Sequence, residues 1–120
     1  MANDKNFKVK NGLSAKRYLQ SSAAVSASDV DMSSGSYFTK TLSANTTFTF
    51  SNPPASGNAG SFALEIIGAS AYTITWPSSV EWSGGAAPNA PAAGEKDLYV
   101  FVTTDGGTTY YGKQAGDAVS

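Results

Sequence analysis

The sequence predicts an all-β fold: a single antiparallel β-sandwich or jelly-roll-like domain behind a short extended N-terminal arm. Three observations carry that expectation. Short stretches alternate apolar and polar residues, as in Thr46-Thr47-Phe48-Thr49-Phe50, the period of a half-buried strand. Turn formers are dense, with 12 Gly, 5 Pro, 17 Ser and 11 Thr, and they cut the chain into short pieces. Where regular, the spacing is about 8–12 residues, as in sandwiches and small barrels. No window places apolar residues at i, i+3, i+4 and i+7 over three turns, so no amphipathic helix is expected.

The elements follow in chain order. Ser14 to Gln20 is the one helix candidate, too short to hold without packing. Ser28 to Met32 reads as an edge strand and Ser36 to Lys40 as a strand centred on Tyr37-Phe38. Thr46 to Phe50 places Phe48 and Phe50 on one face and stops at Ser51-Asn52-Pro53-Pro54, because proline cannot donate to a ladder. Ser61 to Ile67 puts Phe62, Leu64 and Ile66 on one face and Glu65 on the other. Gly68-Ala69-Ser70 turns the chain into Ala71 to Trp76, where Tyr72, Ile74 and Trp76 share a face. Ser83 to Gly94 is a long loop of small residues. Leu98 to Val102 is nearly continuous in apolar residues, as in a central strand buried on both faces. Thr103 to Gly107 is a hairpin turn, Thr108 to Gly112 the returning strand, and Lys113 to Ser120 a small-residue tail. The expected hairpin pairs are 61–67 with 71–76, and 97–103 with 108–112. No internal repeat of fixed period is visible.

Composition bounds the function. The chain has 120 residues, about one domain, and neither cysteine nor histidine. Disulfides, Cys- or His-ligated zinc, a cysteine nucleophile and a Ser-His-Asp triad are therefore excluded. Leu, Ile, Val and Phe number only 21 of 120, so aromatic rings must supply much of the core and self-association is expected. No segment is apolar for about 20 residues, and Met1 to Lys10 lacks the apolar run of a secretory signal. The expected origin is a cytoplasm.

Charge divides the chain into an arm, residues 1–20, and a body, residues 21–120. The arm carries Lys5, Lys8, Lys10, Lys16 and Arg17 against Asp4, a net +4. The body carries Lys40, Lys96 and Lys113 against eight acids, a net −5. A basic arm on an acidic body is suited to docking on an acidic surface, where a mobile terminus is the alternative. Phe7, Val9 and Leu13 alternate loosely with Lys8, Lys10 and Gly12, a pattern able to add a strand to a neighbour's edge. Arg17-Tyr18-Leu19 places a cation beside two apolar anchors.

Other constellations read as structural. Asp29 with Asp31, and Glu95 with Asp97, are expected to be surface carboxylates rather than an acid pair across a cleft. A Ca²⁺ site at Asp29-Val30-Asp31 lacks the ligand loop such sites use. Gly84-Gly85 and Gly106-Gly107 are turns, without the Lys-Ser or Lys-Thr of a phosphate loop. Strand aromatics stack bases only beside a basic groove, and the acidic body argues against nucleic acid. Trp76 and Trp82, in WPSSVEW, are expected to pack in the core or at an interface.

The runs NGLSAKRYLQ, TTFTFSNPPASG, SFALEIIG, YTITWPSSVEWSGGAAPNAP and DLYVFVTTDGGTTYYGKQAGDA, spanning Asn11 to Ala118, resemble a small β-rich domain of tailed-bacteriophage structural proteins, frequent in phages of marine bacteria and cyanobacteria. The resemblance implies a virion location, no catalytic residue, no cofactor, and the trimeric state usual for such proteins. Without a long stalk, it implies a capsid decoration (cement) protein, with Phe7, Lys8, Val9, Lys10, Arg17 and Tyr18 contacting the major capsid protein, another virion protein or a neighbouring copy. The alternative it leaves is a tail-fibre adhesion module recognising host glycans or proteins through loops bearing Trp82, Asn89 and Asp105. A glycan-processing enzyme built on Glu81, Glu95 or Asp97 is the remaining class. Neither nucleic acid nor a membrane is an expected partner.

Overall fold

A six-stranded mixed sheet organises the domain. The computed structural model describes residues 9–17 and 19–119. Among them ten strands form: β1 (Ala23–Ala24), β2 (Asp29–Asp31), β3 (Tyr37–Thr41), β4 (Thr46–Thr47), β5 (Thr49–Ser51), β6 (Gly60–Ile67), β7 (Ile74–Thr75), β8 (Val80–Trp82), β9 (Lys96–Thr103) and β10 (Tyr110–Gly116). The large sheet runs β1-β3-β6-β9-β10-β8, and two short ladders, β2-β5 and β4-β7, stand apart from it. The chain is therefore all-β, with one 3₁₀ turn at Met32–Ser34.

The pairing corrects the antiparallel expectation. Only β6-β9 and β9-β10 are antiparallel; β1-β3, β3-β6, β8-β10, β2-β5 and β4-β7 are parallel. The hairpin at 97–103 with 108–112 forms as expected. The hairpin at 61–67 with 71–76 does not. β6 lies between β3 and β9, and Ile74-Thr75 pairs instead with Thr46-Thr47. The physical reason is coverage. By crossing over, the chain lays Tyr72, Ile74 and Trp76 onto the inner face of the large sheet, where an adjacent hairpin strand would leave that face bare. Successive windings sit beside one another at unequal separations, Ala23 to Phe38, Asp29 to Thr49, Tyr37 to Ala63 and Thr46 to Ile74, so no fixed period appears in the sequence.

Alternation builds the core. Phe62, Leu64 and Ile66 on β6, and Tyr99, Phe101 and Thr103 on β9, are all buried. From across the core, Phe50 meets Phe62, Phe101 and Tyr110 edge-on, each with centroids 5.0 Å apart. Trp76 meets Tyr99 at 5.0 Å and Phe101 at 5.4 Å, so the ring is core-directed. Aromatic pairs of this kind contribute about 0.5–1.5 kcal/mol beyond area burial.

Two glycines are fixed by close approach. A Cβ at Gly68 would stand 2.2 Å from the Ala92 carbonyl oxygen, where the long loop returns to the sheet. A Cβ at Gly112 would meet Val80, Phe101 and Trp82 within 3.1 Å, so the Trp82 ring lies over bare backbone.

Three further expectations change. No helix forms at the described residues of 14–20. The tail continues as strand to Gly116, and beyond it the Val119 amide donates to the Lys96 carbonyl at 2.7 Å. Asp97 is buried, its carboxylate accepting from the Ala118 amide at 2.8 Å and the Tyr99 hydroxyl at 3.2 Å, so it is no surface acid. No described helix is long and apolar enough to cross a membrane.

Candidate functional site

Two surfaces remain after the core is accounted for: the arm and one outward face of the large sheet. Phe7, Lys8 and Tyr18 lie outside the described residues. Val9, Lys10 and Arg17 are exposed, as is every described residue from 9 to 22. Leu13 and Leu19 are 75% and 73% exposed. The arm meets the body through Gln20, whose amide donates to the Ser36 hydroxyl. Its basic side chains thus stand together with large aliphatic groups that the body does not shelter.

The outward face of the sheet has two halves. On β3 and β6 it is polar. The Tyr37 hydroxyl donates to Glu65 Oε1 at 2.7 Å, and Lys96 Nζ stands 3.5 Å from Glu65 Oε2. The Glu65 carboxylate consequently holds the Tyr37 hydroxyl above its ordinary ionisation range. On β8, β9 and β10 the face is apolar. Val100, Val102, Tyr111 and Ala115 floor an open trough of 660 Å³, with Glu81 and Lys113 among its lining. β9 was expected to be buried on both faces. Its inner row, Asp97 to Thr103, is buried, but Leu98, Val100 and Val102 are only half-buried. The short ladders occupy the other side, so the described chain leaves this face open.

The trough was missed in the sequence, although two signals were present. The apolar run at Leu98 to Val102 is too continuous for a strand with one wet face. Tyr110-Tyr111 opposes it across a hairpin, which forces one tyrosine outward; Tyr111 is 57% exposed.

The recognition-loop residues are scattered. Trp82 packs its ring on Trp76 at 5.2 Å and Phe101 at 5.5 Å, leaving one flank at the trough. Asn89 is exposed, and its carbonyl accepts from the Tyr99 hydroxyl at 3.3 Å. Asp105 caps the hairpin turn, accepting from the Thr109 amide at 2.9 Å and the Thr103 hydroxyl at 3.1 Å. The Thr109 amide foremost holds the Asp105 carboxyl below its usual range. Asn89, Glu95, Gln114 and Asp117 do converge on a second, polar cleft of 560 Å³.

The remaining acids are engaged locally. Asp29 accepts from the Thr49 and Ser51 hydroxyls at 2.8 and 2.5 Å. Asp31 accepts from the Ser33 amide and hydroxyl and from the Asn52 amide, and the Ser33 hydroxyl foremost lowers its pKa. These bonds stitch β2 to β5. Among the described residues no three acids gather into a metal-binding group. Comparison with known proteins returns no matching family model, no matching curated protein and no matching solved structure.

Proposed function

We propose that the chain is a non-enzymatic structural protein of a tailed-phage particle, made in the bacterial host's cytoplasm and placed on the head as a decoration protein. It attaches through its N-terminal arm and self-associates as a trimer. The observation that carries this reading is the contrast between arm and body. Every described arm residue from 9 to 20 is exposed, and the segment combines Lys10, Lys16 and Arg17 with Leu13 and Leu19. The described body satisfies its own polar groups: no buried side-chain nitrogen or oxygen lacks a partner. The cations of the strip gain by facing an acidic surface, such as an acidic capsid exterior, and its aliphatic groups gain by being covered by a neighbouring copy. Many weak copies then hold by multivalency.

The finer architectural reading, a sandwich or jelly-roll-like wrap, belongs to the same proposal. It is supported by the two short ladders, which direct Phe48, Phe50 and Trp76 toward the inner face of the large sheet.

A tail-fibre module is the second reading. The polar cleft at Asn89, Glu95, Gln114 and Asp117 favours it, because hydroxyl-rich glycans suit such linings.

The test is cosedimentation of the purified chain with phage heads lacking it. Bulk, saturable binding is expected, with loss in the triple variant Lys10→Glu, Lys16→Glu, Arg17→Glu while the far-ultraviolet spectrum is kept. Binding to host cells and not to heads would move the assignment to the fibre.

A further inference from the structure

We propose that the apolar trough on the outward face of β8, β9 and β10 is the seat for the N-terminal arm of a second copy of this chain. The inference deepens the self-association within the reading above and rests on that part of it. Two independent features meet in it.

The first is the trough. Val100, Val102, Tyr111 and Ala115 form an apolar floor on a strand whose sequence is apolar on both faces, yet only the inner face is covered. An apolar strand face of this kind is ordinarily covered by a further layer of structure. The short ladders cannot supply that layer, because they pack on the opposite side of the sheet.

The second is the arm. In an extended conformation its odd-numbered residues share one face: Val9, Asn11, Leu13, Ala15, Arg17 and Leu19. Lys10, Gly12, Ser14, Lys16, Tyr18 and Gln20 fall on the other. The odd row holds all four aliphatic residues of 9–20 and the even row both lysines, so the odd row is the side to seat. Val9 and Leu13 stand about 13 Å apart in an extended chain, the same span as Tyr111 to Ala115 along β10. Val9 and Leu13 can thus meet Tyr111 and Ala115, with Asn11 level with Lys113 between them.

Charge suits a copy of this chain as the partner. The described arm from residue 9 to residue 20 carries three cations and no acid, while the body is net −5. Glu81 and Lys113 both line the trough and offset one another, so the attraction comes from the body's net charge. The occupant comes from a neighbour because the chain's own arm stands exposed from Val9 to Ser22 at its described residues. Arm into trough is a head-to-tail contact, which repeats from copy to copy and closes a ring where its rotation divides a full turn.

The chain has no cysteine, so introduced thiols report without background. Two full-length single variants, Leu13→Cys and Val102→Cys, are mixed and oxidised. Any disulfide between them must join two chains. The expected result is a mixed dimer at least ten-fold in excess of that formed by Leu13→Cys with Ser70→Cys, a thiol on an exposed turn away from the trough. Val102→Glu, on the outward face, is expected to keep the thermal unfolding transition and to reduce the assembled species to monomer by light scattering. The proposal is overturned if no excess forms, if a Leu13→Cys/Val102→Cys double variant closes within a monomer, or if Val102→Glu assembles as before. Head attachment is read separately. Its loss with arm exchange intact removes the virion reading alone, and arm exchange absent with head attachment intact removes this inference alone.

Discussion

The Phe48 and Trp76 rings stack with centroids 5.2 Å apart and planes 17° from parallel. Phe48 sits where the chain passes from β4 to β5, and Trp76 follows β7. The Phe48 amide also donates to the Thr75 carbonyl at 2.9 Å. The stack therefore joins a two-residue ladder, too short to stand alone, to the aromatic core beneath it. Phe48→Ala is expected to cost about 3–5 kcal/mol, as truncation of a buried aromatic does. Phe48→Leu should cost less. Chemical denaturation with tryptophan fluorescence reads both.

Asp97 is the joint between β9 and the C-terminal segment. Its carboxylate accepts from the Ala118 amide and shares the Tyr99 hydroxyl with the Asn89 carbonyl. Asp97→Ala should destabilise by about 1–3 kcal/mol through the Ala118 amide it leaves unpaired. Amide exchange at Ala118 and Val119 should rise well above that elsewhere in the variant, whereas Asp97→Asn should retain part of the protection.

Gly68 has no room for a side chain against the Ala92 carbonyl. Gly68→Ala is expected to cost about 1–3 kcal/mol by forcing the long loop off the sheet. The companion change Gly84→Ala has open space around it but a positive φ of 86°, so its cost is backbone strain alone and should be smaller. A melting temperature for each variant separates steric from conformational cost.

Acid stability should depend on Asp31 and Asp105. Both are held below their ordinary value of 3.8 by hydrogen bonds that form only in the fold. Their contribution is full above that value and disappears as pH falls through and below it. Asp105→Asn should flatten the acidic limb of the melting curve against pH. At the alkaline end the opposite sign applies. Burial, and then the Asp97 charge, hold Tyr99 above its ordinary 10.0, so its contribution is full below that pH and falls at higher pH.

The strand positions were legible because period-two alternation depends only on nearest neighbours. Phe62, Leu64 and Ile66 could face one way only, and the Asp105-Gly106-Gly107 turn could join only an antiparallel pair. The parallel crossovers were not legible. Nothing local in Ile74-Thr75 distinguishes a partner 28 residues back, Thr46-Thr47, from the adjacent Ser61 to Ile67. Two-residue ladders also carry too little periodicity to register, which hid Ala23-Ala24. Asp97 looked exposed because a carboxylate beside a turn usually is; its burial depends on the tail folding back to it. Of the surfaces, the arm was readable from charge alone, whereas the trough emerged only once the other layer proved to lie on the opposite face.

The most direct measurement is an electron cryomicroscopy map of the phage particle that carries this chain. The predicted result is density for the β domain in many copies on the head exterior, with residues 9–19 ordered against a neighbouring subunit. Density confined to a tail fibre, or head-bound domains whose arms touch nothing, contradicts it.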